Sequence, residues 1–270
     1  MKYLLISNHR KEHTTVMAEQ TADWLQAQAI ECDIDDGREE AYTQRYDVMI
    51  VLGGDGTMLR AARRYGQCNT PILGVNLGTV GSMSNIQASE LLQYLPRVIA
   101  GQFTLEHRLM LAVRVFEDEK LISEFQCLNE AVIKATGARM LSFSVQIDNS
   151  RAYPFSGDGI MVATPTGSSA YSLSAGGPLL DPSILALVIT PLAPNTMSWK
   201  PLVLNPDRRV RLRPLSCEEA VLCLDGQICL LSDQQRWVEI ARAEQLLPLI
   251  KLKEKPFLKT INSRLRPFGG

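Results

Sequence analysis

The sequence predicts an N-terminal α/β domain built on a parallel sheet, followed by a β-rich C-terminal domain of the β-sandwich kind. Three observations carry that prediction. Over residues 1–100, short apolar runs alternate with segments of helical periodicity, the pattern of a parallel sheet covered on both faces. Two of those runs end in glycine clusters, Gly53-Gly54-Asp55-Gly56-Thr57 and Asn76-Leu77-Gly78-Thr79-Val80-Gly81, and parallel sheets bind ligands beyond the C-terminal ends of their strands. From Phe103 the pattern changes to short extended segments with turn residues between them, which is how antiparallel sheets read. A chain of 270 residues is long enough to bury two cores. The boundary is expected at Ala100-Gly101-Gln102, giving domains 1–100 and 101–242, with the apolar segment 243–270 expected to pack back on the first domain.

Taken in order, residues 2–7 read as a buried strand and 8–13 as a polar loop. A helix is expected over 14–28, with Met17, Trp24 and Leu25 on its inner face and Ala18, Ala22 and Ala29 allowing close approach to a sheet. Residues 30–35 form a short element and 47–52 the strand that enters the first glycine cluster. The next helix runs to Tyr65, with Gly66 as its stop. Residues 72–75 form a strand, and 89–100 a helix bent or broken near Pro96. In the second half, extended segments are expected at 109–115, 121–128, 140–148, 151–155, 160–163, 184–190, 201–204, 208–213, 220–224, 228–231 and 236–241.

Composition excludes several classes of function. Net charge is −1, with no block of Lys or Arg, so no large nucleic-acid footprint is expected. No run of eighteen apolar residues occurs, and the apolar run at the start is too short for a signal peptide, so no membrane association and a cytoplasmic location are expected. Of six cysteines none forms a C-x-x-C pair, and only His107 of three histidines lies beyond residue 13; no protein-ligated metal is expected. Cys223 and Cys229 fall in apolar runs and read as reduced core residues.

The first glycine cluster reads as strand, tight turn and helix start. Glycines let backbone N–H groups approach a ligand, and the helix N-terminus carries partial positive charge, which suits a phosphate. A carboxylate at Asp55 repels phosphates unless a metal ion bridges them or there is a proton to remove, and both point to phosphoryl transfer. A second passage, Thr164-Pro165-Thr166-Gly167-Ser168-Ser169-Ala170-Tyr171-Ser172-Leu173-Ser174-Ala175-Gly176-Gly177-Pro178, reads as a strand end, a hydroxyl-rich loop and a short helix. It suits a polyol or phosphate; a helix capped by Thr166 or Ser168 is the competing reading. Asn129-Glu130, at the end of the 121–128 strand, suits two hydroxyls or a base edge, or is a solvated strand end. Asp225-Gly226 has the form of a hairpin turn.

Together these motifs resemble the NAD kinase family. The match runs through Gly53-Gly54-Asp55-Gly56-Thr57, Asn129-Glu130, the Thr164–Pro178 passage and Asp225-Gly226-Gln227, in that order. The resemblance implies a parallel Rossmann-like sheet in the first domain and an enzyme that phosphorylates the 2′-hydroxyl of the adenosine ribose of NAD. Asp55 is then the general base, and Gly53, Gly54, Gly56 and Thr57 hold phosphates through the backbone. Asn129, Glu130, Asp158, Thr166, Ser169, Ala170, Tyr171 and Ser174 contact the dinucleotide. ATP with a divalent cation, magnesium, is the implied donor, and a homodimer or homotetramer the implied assembly, because a neighbouring subunit often completes the site.

The chain departs from the family where Phe-Leu-Thr-Asp is usual and Ser82-Met83-Ser84-Asn85 stands. Asn195 replaces a frequent His, and Leu224 a Cys. Two other readings remain at this point. Lipid kinases of the diacylglycerol type share the glycine turn, and a dinucleotide sensor that has lost turnover shares the fold.

Overall fold

The computed structural model describes residues 1–78, 81, 83–215, 220–232 and 236–254. Ser82, Cys217 and the apolar tail beyond residue 254 therefore lie outside the described residues, as do Thr79 and Val80. The chain forms two compact units, Met1–His107 with Leu247–Gly270, and Arg108–Leu246. The division falls after residue 101 because the strand Thr104–Arg108 joins the first sheet.

The first unit runs β1 (Lys2–Ile6), α1 (Glu12–Ala27), β2 (Glu31–Asp35), β3 (Val48–Leu52), α2 (Asp55–Tyr65), β4 (Ile72–Asn76), β5 (Ile86–Gln87), α3 (Leu91–Ile99) and β6 (Thr104–Arg108). The second contains β7 (Leu111–Glu117), β8 (Lys120–Cys127), β9 (Glu130–Ala135), β10 (Leu141–Ile147), β11 (Tyr153–Gly157), β12 (Gly159–Ala163) and α4 (Tyr171–Ser174). It continues with β13 (Leu187–Leu192), β14 (Leu202–Leu204), β15 (Val210–Pro214), β16 (Ala220–Leu224), β17 (Ile228–Ser232) and β18 (Arg236–Arg242), before β19 (Leu247–Lys251) returns to the first unit.

The first sheet has the order β2-β1-β3-β4-β19-β6, with β5 beside β4. Strands β1 to β4 pair in parallel, and β19 joins β4 in parallel at Leu249 and Ile72. Every residue of β3 and β4 is buried, as central strands of a two-sided sheet require. Helix α1 buries Thr14, Ala18, Thr21, Ala22 and Leu25, with Met17 and Trp24 at the margin of that core. Ala29 is not on this face: it follows the helix in the left-handed region, at φ 59°. Helix α2 ends at Tyr65 with Gly66 as its C-cap, as expected, although Gly66 stays in the right-handed region at φ −59°. The chain tightens there into a single 3-10 turn, and Asn69 takes the left-handed conformation. Helix α3 carries Pro96 without breaking and ends at Ile99.

The second unit is a sandwich of two six-stranded sheets, β11-β10-β15-β18-β7-β8 and β14-β13-β12-β9-β16-β17. Val113, Phe143 and Ile240 from the first meet Ile133, Val162 and Leu222 from the second in one core. Burial of each such side chain contributes about 1.5–3 kcal/mol. Strand β9 is missing from the sequence reading, because Ala131-Val132-Ile133 is too short an apolar run to stand out. Pairing with β12 on one side and β16 on the other makes it a central strand.

Candidate active site

In the first unit the site is built where β3 becomes α2. Gly53 still behaves as a strand residue, donating its N–H to the Val75 carbonyl at 3.0 Å. Gly54 is extended and precedes α2 without any side-chain cap, while the N–H groups of Thr57 and Met58 fold back to its carbonyl at 3.0 and 3.2 Å. A Cβ on Gly53 would stand 2.4 Å from Thr57 Oγ1, so the turn closes this tightly only around glycine. Gly53 and Thr57 thus spend their N–H groups inside the turn, whereas Gly54 is half-buried and Gly56 exposed.

Asp55 is the first residue of α2 and half-buried. Its Oδ1 accepts the Met83 N–H at 3.4 Å, and a Cβ on Gly81 would lie 2.5 Å from the same oxygen. Gly81, at the end of the second glycine cluster, therefore clears the space in which this carboxylate sits. It was named in the sequence only as part of that cluster. The helix is fastened to the sheet further along. Arg60 donates to the carbonyls of Ser7 and Asp36 beyond β1 and β2. Buried Asp35 pairs with Arg64 at 3.2 Å and accepts the Tyr65 hydroxyl at 2.8 Å. Burial, then the bond to Asp35, push that hydroxyl up to about 12.

Asn85, one of the departures, has a structural explanation. Its Oδ1 accepts the N–H groups of Leu252 and Lys253 at 2.7 and 3.1 Å, and its Nδ2 donates to the Lys253 carbonyl at 3.1 Å. A carboxylate has no such donor, so the amide fits the backbone that follows β19. Leu224 likewise belongs to the sandwich core, and Asn195 is exposed, with its N–H bonded to the Ser156 carbonyl at 3.0 Å.

In the second unit, Asn129 follows the end of β8 and Glu130 opens central strand β9. Glu130 pairs in register with Ala163, so the loop after β12 begins beside it. Thr164 locks the two together: its N–H donates to the Asn129 carbonyl at 2.8 Å and its hydroxyl to the Leu128 carbonyl at 2.6 Å. Gly167 packs so closely that a Cβ would lie 2.1 Å from the Asn129 carbonyl oxygen. Most hydroxyls of the passage are committed inside the fold. Ser168 bonds to the Pro165 carbonyl at 2.6 Å, Ser169 to that of Thr166 at 3.2 Å, and Ser172 to Thr190 at 2.8 Å. Thr166 does not cap the turn, nor Ala170 α4; the Gly167 N–H donates to Thr164 Oγ1 at 3.0 Å, and Thr166 meets Arg108 at 3.4 Å. Gly176 and Gly177 end α4 by donating to Leu173 and Ser172 at 3.0 and 2.8 Å, the paired bonds of a Schellman motif. Tyr171 and Ser174 are exposed and Ala170 half-buried.

Two residues depart from the sequence reading. Asp158 precedes β12, whose other end carries Thr164, so it lies about 15 Å along the strand from Glu130's register partner. It does not join the Asn129–Glu130 cluster. Asp225 is the opposite case. Its turn is a hairpin turn as read, with φ of 51° at Asp225 and 62° at Gly226, but its carboxylate reaches β9. Oδ1 accepts the N–H groups of Asn129 and Glu130 at 2.7 and 3.3 Å, and Oδ2 that of Leu128 at 3.1 Å. Burial, and then the charge of Asp225, push the Glu130 carboxyl up to about 8.

Residues 7–103 match the ATP-NAD kinase N-terminal domain and 128–252 the ATP-NAD kinase C-terminal domain. The NAD kinase of Syntrophotalea carbinolica is 38% identical over 81% of this chain and 78% of its own length. That of Heliobacterium modesticaldum is 32% identical over 97% of each. The chain belongs to the NAD kinase family. Lipid kinases share the glycine turn with this family, but the NAD kinase match extends through the second unit. Among solved structures, yeast NADH kinase complexed with NADH aligns with a TM-score of 0.83 and 22% identity, covering 98% of this chain and 87% of that one. An NAD kinase from Archaeoglobus fulgidus in complex with ATP aligns with a TM-score of 0.75 and 23% identity over the whole of both chains. These two show the NAD kinase fold. Among the described residues no group of three or more His, Cys, Asp or Glu side chains is placed to hold a metal ion, and no helix is long and apolar enough to cross a membrane.

Proposed function

We propose that this chain transfers the γ-phosphoryl group of ATP to the 2′-hydroxyl of the adenosine ribose of NAD, making NADP, with Asp55 as the general base. The observation that carries the reading is the Asp55 carboxylate at the start of α2, fixed by the glycine turn and given room by Gly81. A ribose hydroxyl is a weak nucleophile at neutral pH. A carboxylate in hydrogen-bond reach takes its proton as the new O–P bond forms and the bond from the γ-phosphorus to the β,γ-bridging oxygen breaks, with ADP leaving. Such a base contributes about a hundred- to ten-thousand-fold in rate. Gly54 and Gly56 offer the donor phosphates their backbone, and Gly53 and Thr57 shape the turn. A magnesium ion carried by the ATP would supply positive charge that offsets the repulsion between Asp55 and the donor phosphates.

Asn129 and Glu130 hold the dinucleotide, with Thr166, Ser169, Ala170, Tyr171 and Ser174 around them. Because Asp158 stands at the other end of β12, its role as a dinucleotide contact fits a site belonging to a second copy of the chain, in a homodimer or homotetramer. The test is to incubate the purified protein with MgATP or polyphosphate and with NAD, NADH or diacylglycerol, and to measure NADP or NADPH. The reading expects the phosphorylated dinucleotide; product from the lipid alone overturns it.

A further inference from the structure

A hairpin turn does not require a carboxylate. The left-handed pair at Asp225 and Gly226 is as well served by Asn-Gly, yet Asp225 is 5% exposed and directs both carboxylate oxygens at the backbone of Leu128, Asn129 and Glu130. Its own N–H returns to the Glu130 carbonyl at 3.0 Å. Three N–H donors on one carboxylate are arranged for an anion. Glu130 is equally buried, and its Oε2 has no hydrogen-bond partner among the described residues. Ala163 of β12 lies in register beside it, and on the β16 side Leu224 pairs with the next residue, Ala131, leaving Asp225 as the charged group that acts on Glu130. Two carboxylates placed this way do not both ionise at low cost. With Asp225 supplied with donors, the proton belongs on Glu130, in accord with the rise of its carboxyl to about 8.

We infer that Asp225 is a positioning residue for the dinucleotide: it fixes the backbone from which Asn129 and Glu130 reach the ligand, and it makes Glu130 exchange a proton for ligand hydroxyls on binding. The inference rests on the reading of Asn129 and Glu130 as dinucleotide contacts. In the free protein the Glu130 carboxyl carries its proton. When ribose hydroxyls donate to it, the anion gains the donors it lacks, and the proton leaves to solvent. Binding then releases up to one proton, and affinity for NAD rises from about pH 6 to about pH 8, by at most about tenfold per pH unit.

The experiment is calorimetric titration of the full-length protein with NAD across that range, in two buffers of different ionisation enthalpy so that proton release is read directly. Asp225→Asn removes the charge, so the rise in affinity is expected to move to lower pH and proton release near neutral pH to shrink. Asp225→Glu keeps the charge but displaces the carboxylate; binding is expected to weaken while proton release persists. Glu130→Gln is expected to weaken binding and abolish proton release. An unshifted profile in Asp225→Asn, with Glu130→Gln still weakened, overturns the role of Asp225 alone. Wild-type affinity in Glu130→Gln overturns the dinucleotide reading beneath it. If circular dichroism shows that Asp225→Asn does not fold, Asp225→Glu decides: loss of proton release there contradicts the inference, and its retention with weakened binding supports it.

Discussion

Two Asp-Gly pairs in this chain look alike in the sequence and do opposite things in the fold. Asp55-Gly56 opens a helix at the C-terminal end of a parallel strand, half-exposed, with Gly81 close against its carboxylate. Asp225-Gly226 turns a hairpin, and its buried carboxylate is taken up by the backbone of the neighbouring strand. The difference lies in what surrounds each carboxylate. Asp55 is half-buried beside Gly81 at the start of a helix, suited to receiving a proton; Asp225 has three backbone donors, suited to holding other residues still.

The sharpest way to break this comparison is Asp55→Asn, which keeps the shape and removes the proton acceptor. Turnover is expected to fall by about a hundred- to ten-thousand-fold with NAD binding retained, measured by NADP formation beside calorimetry. Gly81→Ala tests the same carboxylate from outside. An added methyl group meets Asp55 Oδ1 well inside contact distance, and a displacement of about 1 Å costs up to about a hundredfold in kcat, with little change in NAD affinity.

On the structural side, Asn85→Asp removes the donor to the Lys253 carbonyl and places a charge in a buried site. Thermal unfolding is expected to show a loss of about 1–3 kcal/mol. The mildest effect is a change of slope. The Glu130 carboxyl is raised in the folded protein from an ordinary 4.5 to about 8, so between those values the folded state binds more protons than the unfolded one. Its contribution to stability is full below about pH 4.5 and is lost as pH rises through about 8. Glu130→Gln is expected to flatten that part of the pH–stability curve, followed by denaturant unfolding at several pH values.

Much of this was legible in the residues. The parallel sheet showed in continuous apolar runs such as Val48–Leu52, because central strands are buried on both faces. The glycine turn showed because only glycine permits the approach of Thr57 to Gly53. Strand β9 did not show, since three apolar residues owe their place to β12 and β16 rather than to their own pattern. Asp225 was legible as a turn and not as an anchor, because its partners lie 95 to 97 residues earlier in the chain. The hydroxyls of the Thr164–Pro178 passage read as ligand groups, yet Thr164 bonds to the Leu128 carbonyl, Ser168 and Ser169 to carbonyls within the passage, and Ser172 to Thr190.

The most direct test of the contrast between the two aspartates measures kcat, and the KM for NAD as a function of pH, in Asp55→Asn and Asp225→Asn side by side. The account predicts that Asp55→Asn loses kcat with its KM little changed, and that Asp225→Asn moves the pH profile of KM more than it moves kcat. Near wild-type turnover in Asp55→Asn, or a KM profile in Asp225→Asn that tracks the wild type, would contradict it.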